Sequence, residues 1–337
     1  MPESNEMPVD ASFEDRMGHA QEVMQSELGD QQFLAMVPGT GWKDVPFKRR
    51  DEIPCEIPYP ELWVPGADHV VEGHNKSLQI GEINGRDALL VGRVHANEDP
   101  RAQDVQKAML LIVEAIKNNL DGMIVTNAAG GLHGRINADR GLVRSLIDTA
   151  IADALGSALR GRKKERIDVG DVAVIDQIGT ISLGGNTPLG AAGFVDWSSA
   201  DAEQGLHGFG NFIFEMTRRA VESAQAGRAP RANYYYFPGP QFEGPWDKRI
   251  LRALGADAVG MSSIQSILAA TKAKVPVSGV TFITNPAFGA HSHESNLAIA
   301  DANAPKMGRV IENLADRWPT REQIERLFLP QKEDIEA

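Results

Sequence analysis

A single cysteine, Cys55, stands in 337 residues. A disulfide framework within the chain and a cysteine-rich zinc site are both excluded, and a reducing compartment such as the cytoplasm is the expected setting. Long apolar runs are missing: none approaches the ~20 residues that a membrane-spanning helix requires. Positive charge is in deficit, since 34 Lys and Arg against 46 Asp and Glu leave a formal net charge of -12. Such a chain repels nucleic acid backbones and anionic lipid surfaces, so neither is expected as a partner. A small anionic substrate stays compatible, because local charge in a pocket can oppose the global sign. Residues 1–30 are rich in Glu, Asp, Gln and Ser and show neither the basic start nor the apolar core of a signal peptide. They read as an acidic arm or a loosely attached helix. Common motifs are absent as well. Gly39-Thr40-Gly41 lacks the third glycine of a dinucleotide fingerprint, there is no Walker loop, and there is no Gly-x-Ser-x-Gly nucleophile elbow. Internal repeats and low-complexity segments are not found.

What is present is an alternation of strand and helix patterns. Phe33 to Val37 is a short apolar run entering a tight glycine loop. Residues 43–70, with many prolines and charges, read as an irregular excursion. Leu78–Ile83 and Ala88–Val94 flank Asn84-Gly85, the pairing expected of a hairpin. Val105, Ala108, Met109, Ile112, Val113 and Ile116 recur at helical spacing, and Gly122–Thr126 reads as a strand leading into Asn127-Ala128-Ala129-Gly130-Gly131. Leu142, Val143, Leu146, Ile147, Ala150, Ile151, Ala154 and Leu155 form a helical apolar stripe that ends in a basic tail. Strands follow at 171–178, 234–237, 257–261 and 277–284, helices at 212–224, 246–254 and 264–271, and one closing helix over 295–318. The fold class is therefore α/β, with a central mixed, mostly parallel sheet flanked by helices. One domain spans 31–320, with a tail at 321–337.

The polar residues able to do chemistry gather just after strands: Thr40, Arg93, His95, Asn127 to Gly131, Ser262, and Thr284-Asn285. Ligands of open α/β sheets bind at such carboxyl ends. Arg93 offers a planar fork of donors to an anion. Thr40 offers a hydroxyl within a glycine loop whose backbone N–H groups can also face one. A metal reading of His291-Ser292-His293-Glu294 is weak, because no further ligand cluster accompanies it.

Seven ordered landmarks carry a resemblance. They are Gly39-Thr40-Gly41, Gly73-His74, Gly92 to Glu98 (Gly-Arg-Val-His-Ala-Asn-Glu), Thr126 to Gly131, Gly239-Pro240-Gln241-Phe242-Glu243, Leu254 to Ser262, and Ile283-Thr284-Asn285. Over roughly residues 33–317 the chain resembles the trimeric purine nucleoside phosphorylases, a family that includes methylthioadenosine phosphorylases. The resemblance implies a nucleoside phosphorylase-like fold and phosphorolysis of a purine nucleoside to the free base and (deoxy)ribose 1-phosphate. It implies no cofactor or metal beyond inorganic phosphate as co-substrate, and a homotrimer. It assigns phosphate binding to Thr40, His74, Arg93, His95, the Ala128 N–H and Ser262. Purine binding falls to Ala129, Gly130, Phe242, Glu243, Thr284 and Asn285, and sugar binding to Met261, His293 and Asn97, with His291 as a rival to His293. Asn285, Glu243 and His95 are the candidate catalytic groups. Glu243 can accept from a purine ring N–H while Asn285 donates to N7 or a 6-oxo group, so a 6-oxopurine nucleoside is the expected substrate.

Three departures accompany the resemblance. Asn97 stands where the family usually has tyrosine. The stretch Asp176-Gln177-Ile178-Gly179 replaces the family's Asp-His-x-Asn, leaving Phe194 as the candidate for the aromatic lent by a neighbouring subunit. The turn after Gly131 holds a family-atypical helical insert at about 133–168. A methylthioadenosine phosphorylase and a catalytically silent nucleoside-binding homologue are the rival readings. The insert's helix is expected to lay its apolar stripe on its own chain or on a neighbouring subunit.

Overall fold

The computed structural model describes residues 11–39, 41–42, 45–51, 54–67, 75–94, 105, 107–134, 142–160, 164–180, 211–225, 227–239, 241–286, 288 and 293–328. Its strands are β1 (Phe33–Val37), β2 (Phe47–Arg49), β3 (Glu56–Pro58), β4 (Ser77–Ile83), β5 (Arg86–Val91), β6 (Leu120–Gly131), β7 (Val172–Gly179), β8 (Arg231–Tyr236), β9 (Ala258–Gly260) and β10 (Val277–Pro286). Its α-helices are α1 (Phe13–Leu28), α2 (Ala108–Ile116), α3 (Leu142–Arg160), α4 (Asn211–Ala224), α5 (Pro245–Ala253), α6 (Ile264–Lys272), α7 (His293–Ala302), α8 (Ala304–Arg317) and α9 (Arg321–Phe328).

β6 is the axis of the sheet. Its first half pairs in parallel with β1, most of its length pairs in parallel with β10, and its last residues pair antiparallel with β9. β7 joins β10, β8 joins β7, and β9 joins β8. The strands β6, β10, β7, β8 and β9 thus close on one another in a ring, which leaves these strands no open edge. On the other side β1 leads through β5 to the β4–β5 hairpin, with β2 and β3 on β4. Asn84 and Gly85 both take positive φ, 51° and 77°, as a two-residue hairpin turn requires. Parallel and antiparallel pairings are equal in number among the described residues, so the sheet is more evenly mixed than the alternation of patterns suggests.

Alternate residues of β1 feed two cores, because successive side chains point to opposite faces of a sheet. Phe33, Ala35 and Val37 pack with Met109, Ile112 and Val113 of α2 and Ile267 of α6. Leu34 and Met36 pack with Phe214 of α4, Ile311 and Leu314 of α8, and Trp318. Trp318 fits because Gly122 has no side chain; a Cβ there would lie 2.4 Å from the indole ring. Asp121 fixes the same corner, accepting from Arg86 Nη2 at 2.5 Å and from the Arg321 N–H at 2.6 Å.

Three segments differ from expectation. Within the N-terminal stretch, residues 13–28 form a capped helix whose Ala20, Met24 and Leu28 are buried. Its apolar residues are few, but their spacing puts them on one face toward α2. The closing helix is two helices, α7 and α8, because Pro305 lacks the N–H that would continue the first. The helix α3 forms where the apolar stripe predicts it, but with that stripe facing away from its own chain. Its buried side is Ser145, Ala152 and Gly156. Gly156 permits the close approach: a Cβ there would lie 2.5 Å from the Arg252 carbonyl.

An ionic clamp completes this contact. Arg252 of α5 donates from Nε and Nη2 to the two carboxylate oxygens of Asp153, at 2.8 and 2.7 Å, and from Nη1 to the Gly134 carbonyl at 2.5 Å. Lys164 adds a contact to Asp153 at 2.8 Å. Burial pushes the Asp153 carboxyl up, but the Arg252 and Lys164 donors and charges outweigh it and hold it at about 2, against the ordinary 3.8. A depressed carboxyl contributes stability that is full above its unfolded value and is lost as pH falls through its folded value. The clamp therefore holds at neutral pH and releases between about pH 4 and pH 2. Asp153→Asn is expected to speed amide exchange across 142–160 at neutral pH and to remove its acid response in that window. Unchanged exchange would mean that something other than the clamp holds α3.

Candidate functional site

The ends of β1 and β5, the middle of β6 and the residues after β9 meet around Arg93. Gly92 allows the chain to reach this point, since a Cβ there would lie 2.0 Å from the Asn75 carbonyl oxygen. The Tyr59 hydroxyl donates to the Gly92 carbonyl at 2.5 Å, and burial pushes this phenol far above its ordinary range. On the other flank Thr126 ties β6 to the end of β1. Its Oγ1 accepts from the Gly39 N–H at 3.0 Å and donates to the Val37 carbonyl at 3.3 Å.

Arg93 is 3% exposed. Its Nη1 donates to Ser262 Oγ at 2.8 Å and its Nη2 to the Thr126 carbonyl at 2.6 Å. Nε has no acceptor, and no carboxylate pairs with the guanidinium among the described residues. Burial lowers its pKa to about 10, so it keeps its charge at neutral pH. A buried cation without a countercharge among the described residues has the charge to pair with an anion that enters the site. Ser262 is fixed in turn by Tyr234, whose hydroxyl donates to the Ser262 carbonyl at 2.8 Å. Burial raises the Tyr234 pKa, while the Arg93 charge lowers it and the Glu243 charge raises it, so this hydroxyl lies within the field of both candidate groups. The next residue, Ser263, takes φ 78°, a conformation a non-glycine residue seldom adopts.

β6 and β10 build the second part. They run in register until Thr284, where the pairing shifts so that Asn285 lies opposite Gly130. This irregularity re-aims Asn285, as a bulge does. Its Nδ2 would lie 3.3 Å from a Cβ on Gly130, so the bare glycine keeps the space in front of the amide open. Thr284 Oγ1 donates to Asn285 Oδ1 at 2.9 Å, which directs the amide NH2 outward, with only a long 3.5 Å contact to the Pro286 carbonyl. Asn285 thereby presents a donor. Ala129, buried, precedes Gly130 on the same strand. Glu243 is buried just before α5, and its charge opposes the burial that lowers the pKa of Lys248. Phe242 beside it is half exposed. Met261 is half-buried and fills the space that Gly239 leaves, its sulfur 2.7 Å from where a Cβ would stand.

Of the residues singled out in the sequence, Arg93, Ser262 and Ala128 lie at one end of this group, and Ala129, Gly130, Thr284 and Asn285 at the other, with Met261 beside Ser262. His293 opens α7, its side chain outside the described part. Thr40, His74, His95, Asn97, Phe194 and His291 lie outside the described residues. Sequence reading missed Tyr234 and Thr126. A signal existed for the first: Tyr234-Tyr235-Tyr236 in a buried strand carries hydroxyls that need partners.

A family model for the phosphorylase superfamily matches residues 37–316. The chain belongs to that superfamily. It is 28% identical over 291 residues to the purine nucleoside phosphorylase of Mycobacterium tuberculosis, covering 85% of this chain and 89% of the relative. It is 27% identical over 262 residues to the purine nucleoside phosphorylase of Rattus norvegicus, covering 75% and 78%. Among solved structures, Schistosoma purine nucleoside phosphorylase in complex with guanosine matches with a TM-score of 0.66 at 19% identity, over 91% of this chain and 98% of that one. The Schistosoma mansoni enzyme in complex with adenosine matches with a TM-score of 0.67 at 22% identity, over 93% and 100%. These likenesses agree with the nucleoside phosphorylase-like fold expected from the seven landmarks.

Gly39 offers a test of the anion socket. A Cβ there would lie 2.3 Å from the Thr126 carbonyl, the acceptor that positions Arg93. Gly39→Ala is expected to cost roughly 1–3 kcal/mol of stability through overpacking and to weaken phosphate binding, as read by urea unfolding and phosphate titration. Unchanged phosphate affinity in a destabilised variant would separate Gly39 from the socket.

Proposed function

We propose that this chain cleaves 6-oxopurine nucleosides by phosphorolysis, with inorganic phosphate as co-substrate and no other cofactor. The observation that carries this reading is the buried Arg93 cation, which has no carboxylate partner among the described residues and donates to the same central strand, β6, that pairs with Asn285. Phosphate binds at Arg93, Ser262 and the Ala128 N–H, with Thr40, His74 and His95 completing the cradle. The purine lies against Ala129 and Gly130, between Phe242, Glu243 and Asn285. The sugar lies over Met261, with His293 and Asn97 at its hydroxyls.

The chemistry needs no covalent enzyme intermediate. As the glycosidic bond breaks, the sugar becomes cationic and the purine gains electron density. Phosphate held below the sugar stabilises the first charge, and the Asn285 NH2, donating to N7, stabilises the second. Phosphate then forms the new bond to C1′ as the bond from C1′ to the purine nitrogen breaks, and the proton that hydrogen phosphate gives up is taken up, through solvent, by the purine ring, so the base leaves neutral. We extend the reading to a homotrimer on the family resemblance of the ordered landmarks alone. A methylthioadenosine phosphorylase is the second reading, disfavoured by an amide at 285 in place of a carboxyl.

Arg93→Ala is expected to raise the phosphate KM strongly and leave nucleoside binding mostly intact, since loss of a buried charge-assisted contact is worth roughly 2–5 kcal/mol. Equal losses for phosphate and nucleoside would remove Arg93 from the phosphate role. The base assignment is tested at Asn285. Glu243 can accept the N1 proton of a 6-oxopurine, whereas adenine would set two acceptors against each other, and such a mismatch can cost several orders of magnitude. Inosine or guanosine should therefore be cleaved far better than adenosine. Asn285→Asp should narrow the gap, because a protonated carboxyl donates to N7 while its other oxygen accepts from a 6-amino group. Wild-type preference for adenosine or methylthioadenosine at saturating phosphate would overturn the assignment.

A further inference from the structure

The helix α3 (Leu142–Arg160) is built inside out for a lone chain. Its small residues, Ser145, Ala152 and Gly156, face its own body, while Leu142, Val143, Leu146, Ile147, Ile151, Leu155 and Leu159 stand 49% to 71% exposed. Ala150, Ala154 and Ala158 fill the gaps between them and are exposed too. Val143, Ile147, Ile151, Leu155 and Leu159 recur every four residues, a continuous ridge of about 24 Å at 1.5 Å per residue. The helix is not a loose arm that could turn over. Gly156 seats it against α5, and Arg252 and Lys164 clamp Asp153. Whatever covers the ridge must come to it.

We propose that this ridge packs against the same ridge of a second copy of the chain, in a two-fold contact. Three observations choose that occupant. The seven large side chains, at the exposures above, present roughly 400–500 Å2 of apolar surface per copy, taking about 100 Å2 for each fully exposed aliphatic side chain. Doubled across two copies, that is roughly 800–1,000 Å2 before the alanines and the rim are counted, near the roughly 1,200 Å2 of a small specific interface. On the helix itself Arg144 is paired with Asp148 at 3.1 Å and Asp153 with Arg252, so the ridge sets none of these charges unpaired against its copy. A chain of net charge -12 is repelled by an anionic lipid surface, the other plausible home for such a face. A two-fold contact also uses one patch twice and needs no separate socket elsewhere on the surface.

Ile151 is the midpoint of the ridge, so a contact centred there brings it against its own copy. In a Cys55→Ser background, Ile151→Cys is expected to give a covalent two-chain species on mild oxidation, where Lys48→Cys, on an exposed edge strand, gives none. Light scattering should find the wild type as an even multiple of 36.5 kDa and Ile151→Glu at half that mass, with circular dichroism and melting temperature recording its fold. The halving is read whether or not the two-fold contact joins trimers, and phosphorolysis is not needed to read it. Loss of mass in Ile151→Glu without the Ile151→Cys cross-link would indicate a head-to-tail contact and overturn the two-fold pairing. An unchanged mass would overturn it as well. Binding of the wild type to anionic vesicles, or a lower melting temperature at constant mass, would then assign the ridge to lipid or to another part of the same chain.

Discussion

A buried guanidinium with no carboxylate among the described residues is costly to build, and much of the surrounding structure serves to hold Arg93 in that state. Burial lowers its pKa to about 10, yet it remains charged, its fork divided between a serine hydroxyl and a strand carbonyl. Those two acceptors are neutral, so they orient the cation and leave its charge unspent. Each is fixed by something further out. Thr126 is locked to β1 through Gly39 and Val37, and Ser262 is held by Tyr234. In the proposed reading, a carboxylate beside Arg93 would have neutralised the charge meant for phosphate.

The amide of Asn285 follows the same economy. Asparagine carries a donor and an acceptor, and alone it would suit many partners. Thr284 occupies the acceptor, so the donor is what remains for a ligand. The register shift between Ile283 and Asn285 then sets that donor opposite a glycine, where nothing competes for the space.

Most of the fold was legible because its strands and helices are strongly patterned. Phe33–Val37, the Asn84-Gly85 hairpin and the helix at 264–272 follow from local residues alone. The length of β6 did not, since Asn127 to Gly131 reads as loop until β9 and β10 are known to pair with it. The break at Asn303 was written in Pro305 and was overridden by the apolar period around it. Within the site, the ordered landmarks pointed to Arg93 and Ser262, which are bonded to each other, and to Gly130 and Asn285, which are paired, while Thr40, His74 and His95 lie outside the described residues. The supports were hidden, because the partner of Tyr234 lies 28 residues on and that of Gly39 lies 87 residues on. The orientation of α3 could not be read either. An apolar stripe tells which residues seek cover, not whether the cover belongs to the same chain.

The fit of Trp318 against Gly122 has a consequence for how the chain is made. The core beneath β1 joins Leu34 and Met36 to Leu314 and Trp318, so residues near opposite ends of the sequence close one hydrophobic layer. β10, which completes the five-strand ring, is also among the last segments synthesised. During translation the early strands wait with one face uncovered until nearly the whole chain has emerged. Contacts so distant in sequence form slowly and leave aggregation-prone surface exposed in the interval. Quality control in the cell therefore meets this protein as a nascent chain whose first strand, β1, is among the last to be sheltered.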